Sequence, residues 1–119
     1  MRPASIVSEE TIDAFARDGA VLIRGLLADR VASLAEAVAQ NMAAPSPFER
    51  SYTPADGSAM FFQDYCNWQR FAPLHDFVFS SEAGRVAAGL MRSRTARFFL
   101  DHILVKRRGT SLVTPCTEC

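Results

Sequence analysis

The sequence predicts a mixed α+β chain, with helices early and strands later. Three observations carry this: apolar residues recur at helical spacing behind capping signals in the first third, residues 60–65 form an aromatic-rich run, and residues 95–106 alternate as a strand does. The length of 119 residues fits one domain, and 49% hydrophobic and 10% aromatic residues supply material for a core rather than a disordered tail.

Ser8, followed by Glu9 and Glu10, reads as an N-cap with carboxylates in the first turn, where they meet the positive end of the helix dipole. Ile12, Phe15 and Ala16 continue at helical spacing, and Gly19 ends that helix. Residues 20–23, Ala-Val-Leu-Ile between Gly19 and Gly25, read as a short buried strand. Asp29 is expected to cap a second helix with Val31, Leu34, Ala35, Val38 and Met42 as one apolar stripe, stopped by Pro45 and Pro47.

Pro54, Asp56 and Gly57 mark residues 51–58 as loop. The run 60–65, Met-Phe-Phe-Gln-Asp-Tyr, reads as a strand. Ser80 or Ser81 caps a third predicted helix from Glu82, with Val86, Ala87, Leu90 and Met91 inward and Arg92 and Arg94 near its negative end. In residues 95–106 one strand face carries Phe98, Leu100, His102, Leu104 and Lys106, and the other Arg97, Phe99, Asp101, Ile103 and Val105. Both faces are largely apolar, which predicts a central strand.

Thirteen basic and thirteen acidic side chains cancel, so neither a global field nor a polybasic run favours nucleic acid or a membrane surface. Apolar stretches are too short for a membrane span, and the first residues lack the apolar core of a secretory signal, so the expectation is a cytoplasmic chain. Lys106 to Arg108 read as a solvated strand end.

The ending Cys116-Thr117-Glu118-Cys119 has the Cys-x-x-Cys spacing of a redox pair or half a zinc site. A redox pair needs a following helix to lower a thiol pKa, and a zinc site needs partners from Cys66, His75 and His102, none at ligand spacing. Two thiols on a chain end is the favoured reading, with a zinc or redox protein as the alternative. His102 has a plain reading as a buried imidazole bonded to backbone, and His75 beside Asp76 reads as a surface pair on a helix.

Three segments in order carry a resemblance. "FARDGAVLIRGLL" (15–27), "FFQDYCNWQR" (61–70) and "ARFFLDHILVKRRGTSLVTP" (96–115) are similar to the front portion of the phytanoyl-CoA dioxygenase family, iron enzymes that use 2-oxoglutarate and molecular oxygen. The resemblance implies the N-terminal helices and first strands of a cupin-like double-stranded β-helix, or jelly roll, incomplete as a single partial domain over residues 1–119. It implies Fe(II) and 2-oxoglutarate as the family's cofactors and a small organic molecule as the substrate that is hydroxylated.

In the family, the stretch ending in Thr-Pro leads into Trp-His-x-Asp, whose His and Asp are two of three iron ligands. Here that His falls on Thr117 and that Asp on Cys119, and a threonine hydroxyl is a poor substitute for imidazole. The expectation is therefore a chain truncated before its iron site: no catalytic residue, no metal ligand, no cofactor bound and no turnover. Loss of one base from Trp-His codons, TGG-CAC to TGC-AC, would write Cys-Thr and shift the frame. The resemblance leaves pocket-lining positions at His102, Leu104 and Lys106 on one strand face, with Gln63 on the earlier strand. Missing strands would leave edges unpaired, which predicts marginal stability and self-association through strand edges, and makes a non-enzymatic binding or oligomerisation module the second alternative.

Overall fold

A computed structural model describes residues 6–114. In chain order it contains α1 (Glu9–Asp18), α2 (Val31–Ala43), β1 (Phe61–Tyr65), α3 (Ala72–Ser80), α4 (Ala83–Leu90) and β2 (His102–Lys106), with a 3₁₀ turn, Ala28–Arg30, leading into α2. The chain is thus mixed α+β: four α-helices and one two-stranded antiparallel sheet among the described residues. None of these helices is long and apolar enough to cross a membrane.

Helix α1 forms as its caps dictate. The Ser8 hydroxyl accepts from the Thr11 N–H, and Gly19 closes the far end with φ 76°, donating its N–H to Phe15 O. That left-handed geometry favours a residue without Cβ. Ile12 is the buried residue of α1; it packs with Val7 and Val86 of α4, flanked by Ile6, Ile23, Leu26 and Leu90. Outside this cluster, Arg92 ties the end of α4 to α1 by donating to Glu9 and Asp13 at 3.0 and 2.8 Å.

Three expectations for residues 20–43 are corrected. Residues 20–23 form no strand: no ladder partner reaches them among the described residues, and Leu22 is 71% exposed, while Ile23 packs against the α1–α4 cluster. Asp29 lies inside the 3₁₀ turn and makes no capping bond to α2; Arg30 stands at the cap position. The inward stripe of α2 is rotated from the expected one: Ala37 and Asn41 are buried, whereas Val31 and Ala35 are exposed.

The ladder fixes the register Phe61↔Lys106, Phe62↔Val105, Gln63↔Leu104, Asp64↔Ile103 and Tyr65↔His102. Its other side is occupied by residues 50–52. Arg50 N–H donates to Gln63 O, and Tyr52 and Phe61 exchange both backbone bonds, at 2.9 to 3.0 Å. So β1 is covered on both edges, and Phe61 and Phe62 are buried. The long central strand expected over 95–106 is corrected to five residues with a single ladder partner. Residues 95–101 form no strand, and Phe99 is 91% exposed. Apolar pattern alone did not supply the missing neighbour.

Candidate functional site

Period-two alternation puts Phe61, Gln63 and Tyr65 of β1 on the same face as Lys106, Leu104 and His102 of β2. The four positions singled out in the sequence, Gln63, His102, Leu104 and Lys106, are thereby brought together. Gln63 Oε1 lies 3.1 Å from His102 Nε2. An amide oxygen accepts, so this bond places the imidazole proton on Nε2. The plain reading of His102 as bonded to backbone is therefore corrected: its partner is a side chain on the opposite strand.

Tyr65 fixes the imidazole from its other neighbour. The two rings stack at 3.9 Å between centroids with 16° between planes. Lys106 extends over the Phe61 ring, its Nζ 5.2 Å from the centroid, a favourable position for a cation over a π face. Gln63, 3% exposed, sits in the middle of β1 directly across from Leu104, which is exposed together with Lys106. Lys106 Nζ makes no hydrogen bond to a described residue, so this face keeps an exposed cation beside an aromatic floor. Such an arrangement suits a small anionic group.

The opposite face is anchored by Asp64, which is fully buried. Its Oδ2 accepts from Asn41 Nδ2 at 2.8 Å and Ser46 N at 2.7 Å, and its Oδ1 from Tyr65 N at 2.8 Å and from the Ser46 hydroxyl. Burial pushes this carboxyl's pKa up; the bonds from Ser46, Asn41 and Tyr65 outweigh that effect and bring it down to about 2. Asp101 plays a matching part where the chain leaves β1. Its two carboxylate oxygens accept from the backbone N–H groups of Asn67 and Trp68, each at 2.9 Å, across a turn in which Cys66 has φ 60°. Arg70 continues the seam, bonding the buried Asn67 and donating to Ala44 O at 2.6 Å just past α2.

His75 and Asp76 are exposed on α3, as the sequence suggests, and they do not act together. Asp76 is held by Arg30, which keeps its carboxyl below the ordinary range, while the His75 ring stacks against Trp68 at 5.8 Å. Asp64, Asn41, Ser46 and Tyr65 were not anticipated as a unit. The only sequence signal was an acid inside an aromatic strand run.

Among the described residues, no group of three or more His, Cys, Asp or Glu side chains is placed to hold a metal ion. Thr117 and Cys119, the positions of the expected iron ligands, and Cys116 lie outside the described residues, as does the Cys-x-x-Cys alternative. Cys66 is free and exposed, with no partner thiol among the described residues. Two surface hollows of about 400 Å³ each, one lined by Ile23, Leu26, Leu27 and Val31 and the other by Val78, Phe79, Arg85 and Arg94, lie away from the Gln63–His102 face. Comparisons with protein-family models, curated proteins and solved structures find no match to this chain.

Proposed function

We propose that this chain is a cytoplasmic, front portion of a dioxygenase-like jelly roll, and that the β1–β2 face is one wall of a pocket for a small dicarboxylate such as 2-oxoglutarate. The observation that carries the proposal is the Gln63–His102 bond on a face shared with Lys106. In the complete fold, the cofactor pair of Fe(II) and 2-oxoglutarate would supply the oxidising chemistry for hydroxylating a small organic substrate. The part this reading assigns to the described residues is binding and orientation of the dicarboxylate.

Each residue has a task in that reading. Lys106 offers an ammonium to a carboxylate at the open end of the face. Gln63 fixes the imidazole, and Tyr65 restrains its plane, so that few rotamers remain to be lost on binding. Leu104 presents apolar surface between the polar groups.

Titration of isotope-labelled protein with 2-oxoglutarate tests the binding role. The expected result is saturable shifts of the His102, Leu104 and Lys106 resonances at millimolar ligand, lost in Lys106→Ala. Absence of shifts, or shifts unchanged by Lys106→Ala, sinks the pocket. The family part is tested separately by reading the coding DNA from the codon of Leu100 onward in all frames: Trp-His-x-Asp followed by a distal His and Arg supports it, and their absence from every frame removes it.

A further inference from the structure

One of the two surface hollows lies between the end of α3, one face of α4 and residues 94–96, and the way α4 ends places its far wall. Arg92 N–H donates to Gly89 O at 3.0 Å and Ser93 N–H to Ala88 O at 2.9 Å, with Arg92 in the left-handed region at φ 51°. This pair of bonds reverses the chain, and glycine is the residue that ordinarily takes the left-handed position. Arginine stands there instead, its side chain tied to Glu9 and Asp13 of α1. The reversal brings Arg94 and Ala96 back beside α4, where they share the hollow with Arg85 and Ala88. Ser93 then fixes the returning backbone: its hydroxyl accepts from Thr95 N–H at 3.3 Å and donates to Thr95 O at 2.8 Å, with Arg94 held between them.

The lining joins a flat apolar surface to two cations. Phe79 is 65% exposed, and its ring is held by contacts with Trp68 and His75, at 5.6 and 4.7 Å between centroids. Glu82 also lines the hollow, but Arg85 pairs with it at 2.9 Å and cancels its charge. Arg94 makes no salt bridge with a described residue, so the hollow keeps one net positive charge. We propose that it binds a phosphate monoester carried on a flat apolar body, an aryl phosphate being the simplest case. Arg94 meets the phosphate with its planar fork of donors. Glu82 engages only Nη1 of Arg85, and a guanidinium has five N–H groups, so Arg85 supplies a second contact without giving up its own pair. A phosphate has oxygens enough to accept from both arginines at once and carries close to two negative charges at neutral pH, which a carboxylate does not. The body of the ligand lies on the ring of Phe79. At about 400 Å³ the hollow falls within the span of small-molecule sites, about 300–1,000 Å³.

Titration of the isotope-labelled full chain with phenyl phosphate tests this, read from the amide resonances of Ser81, Arg85, Arg94 and Ala96. Saturable shifts with a Kd of about 1 mM are expected. Arg94→Ala is expected to weaken binding by about tenfold, and Arg94→Lys, which keeps the charge without the fork, by less. Arg94 is exposed and its side chain bonds no described residue, so its loss leaves the fold intact. Inorganic phosphate, which lacks the flat body, is expected to bind about tenfold more weakly than phenyl phosphate, and Phe79→Ala should remove that difference. Lys106→Ala, on the β1–β2 face, should leave the titration unchanged, so failure here and failure of the dicarboxylate pocket are read separately. Absence of saturation overturns the proposal. So does binding that is indifferent to Arg94→Ala, equal affinity for phenyl phosphate and inorganic phosphate, or shifts that move to His102 and Lys106 instead.

Discussion

Around Ile12 and Val86, α1 and α4 meet through apolar side chains with ion pairs outside; around Asp64, the ladder meets the end of α2 through buried hydrogen bonds. The first contact depends on volume and area, and many side chains of similar size satisfy it. The second depends on direction, since donors from Asn41, Ser46 and Tyr65 all converge on one carboxylate. An apolar cluster holds helices together without specifying much, whereas a buried carboxylate with its donors admits one register of the strand beside it.

The sharpest way to break this contrast is a substitution at each centre. Asp64→Asn keeps shape but sets an amide N–H₂ against donors, and is expected to lower the unfolding free energy by about 3 kcal/mol. Ile12→Leu, a near volume-conserving change, is expected to cost less than about 1.5 kcal/mol. Urea denaturation followed by dichroism measures both, and equal losses would remove the distinction.

Acid probes the same centre by titration. The Asp64 carboxyl has an ordinary pKa of 3.8 and a folded value of about 2, so between these values the unfolded chain binds more protons. Stability from this group is therefore fully present above pH 4 or so and declines as pH falls towards about 2, a loss of about 2 kcal/mol. Denaturant midpoints taken across that interval should fall steeply in the native chain and flatten in Asp64→Asn.

The smallest expected effect lies at the rim of the helix pair. Arg92 bonds Glu9 and Asp13 with all three side chains well exposed, so Arg92→Ala should leave the denaturation midpoint almost where it is, and added salt should erase even that small shift. A large drop in the midpoint would mean that charge, not apolar contact, joins α1 to α4.

What the sequence made legible follows from range. The cap of α1 by Ser8 and its end at Gly19 involve residues within one turn of each other, and both are read correctly. The strand at 61–65 and the alternation that joins Gln63 to His102, Leu104 and Lys106 were also readable, since period two fixes which residues share a face. The buried seam was not. Asp64 finds its partners 23 and 18 residues away, at Asn41 and Ser46, and an acid at an alternate strand position reads equally well as a solvent-facing one. Residues 20–23 misled for the opposite reason: a short apolar run between glycines has the composition of a strand, but pairing needs a neighbour that composition does not supply. The jelly roll and the pocket rest on the resemblance, and the structure contributes to them a mixed α+β chain and a shared strand face.

The single tryptophan of the chain, Trp68, sits where three segments converge: its ring stacks on His75 and meets Phe79 of α3 edge-on, and meets Phe98 from the approach to β2, while its backbone N–H is held by Asp101. Its fluorescence therefore reports on one junction and is silent about the distant contact of α1 with α4. A melt followed by tryptophan emission and one followed by helical dichroism watch different halves of the same molecule, and the gap between their midpoints is a direct reading of how strongly those halves are coupled.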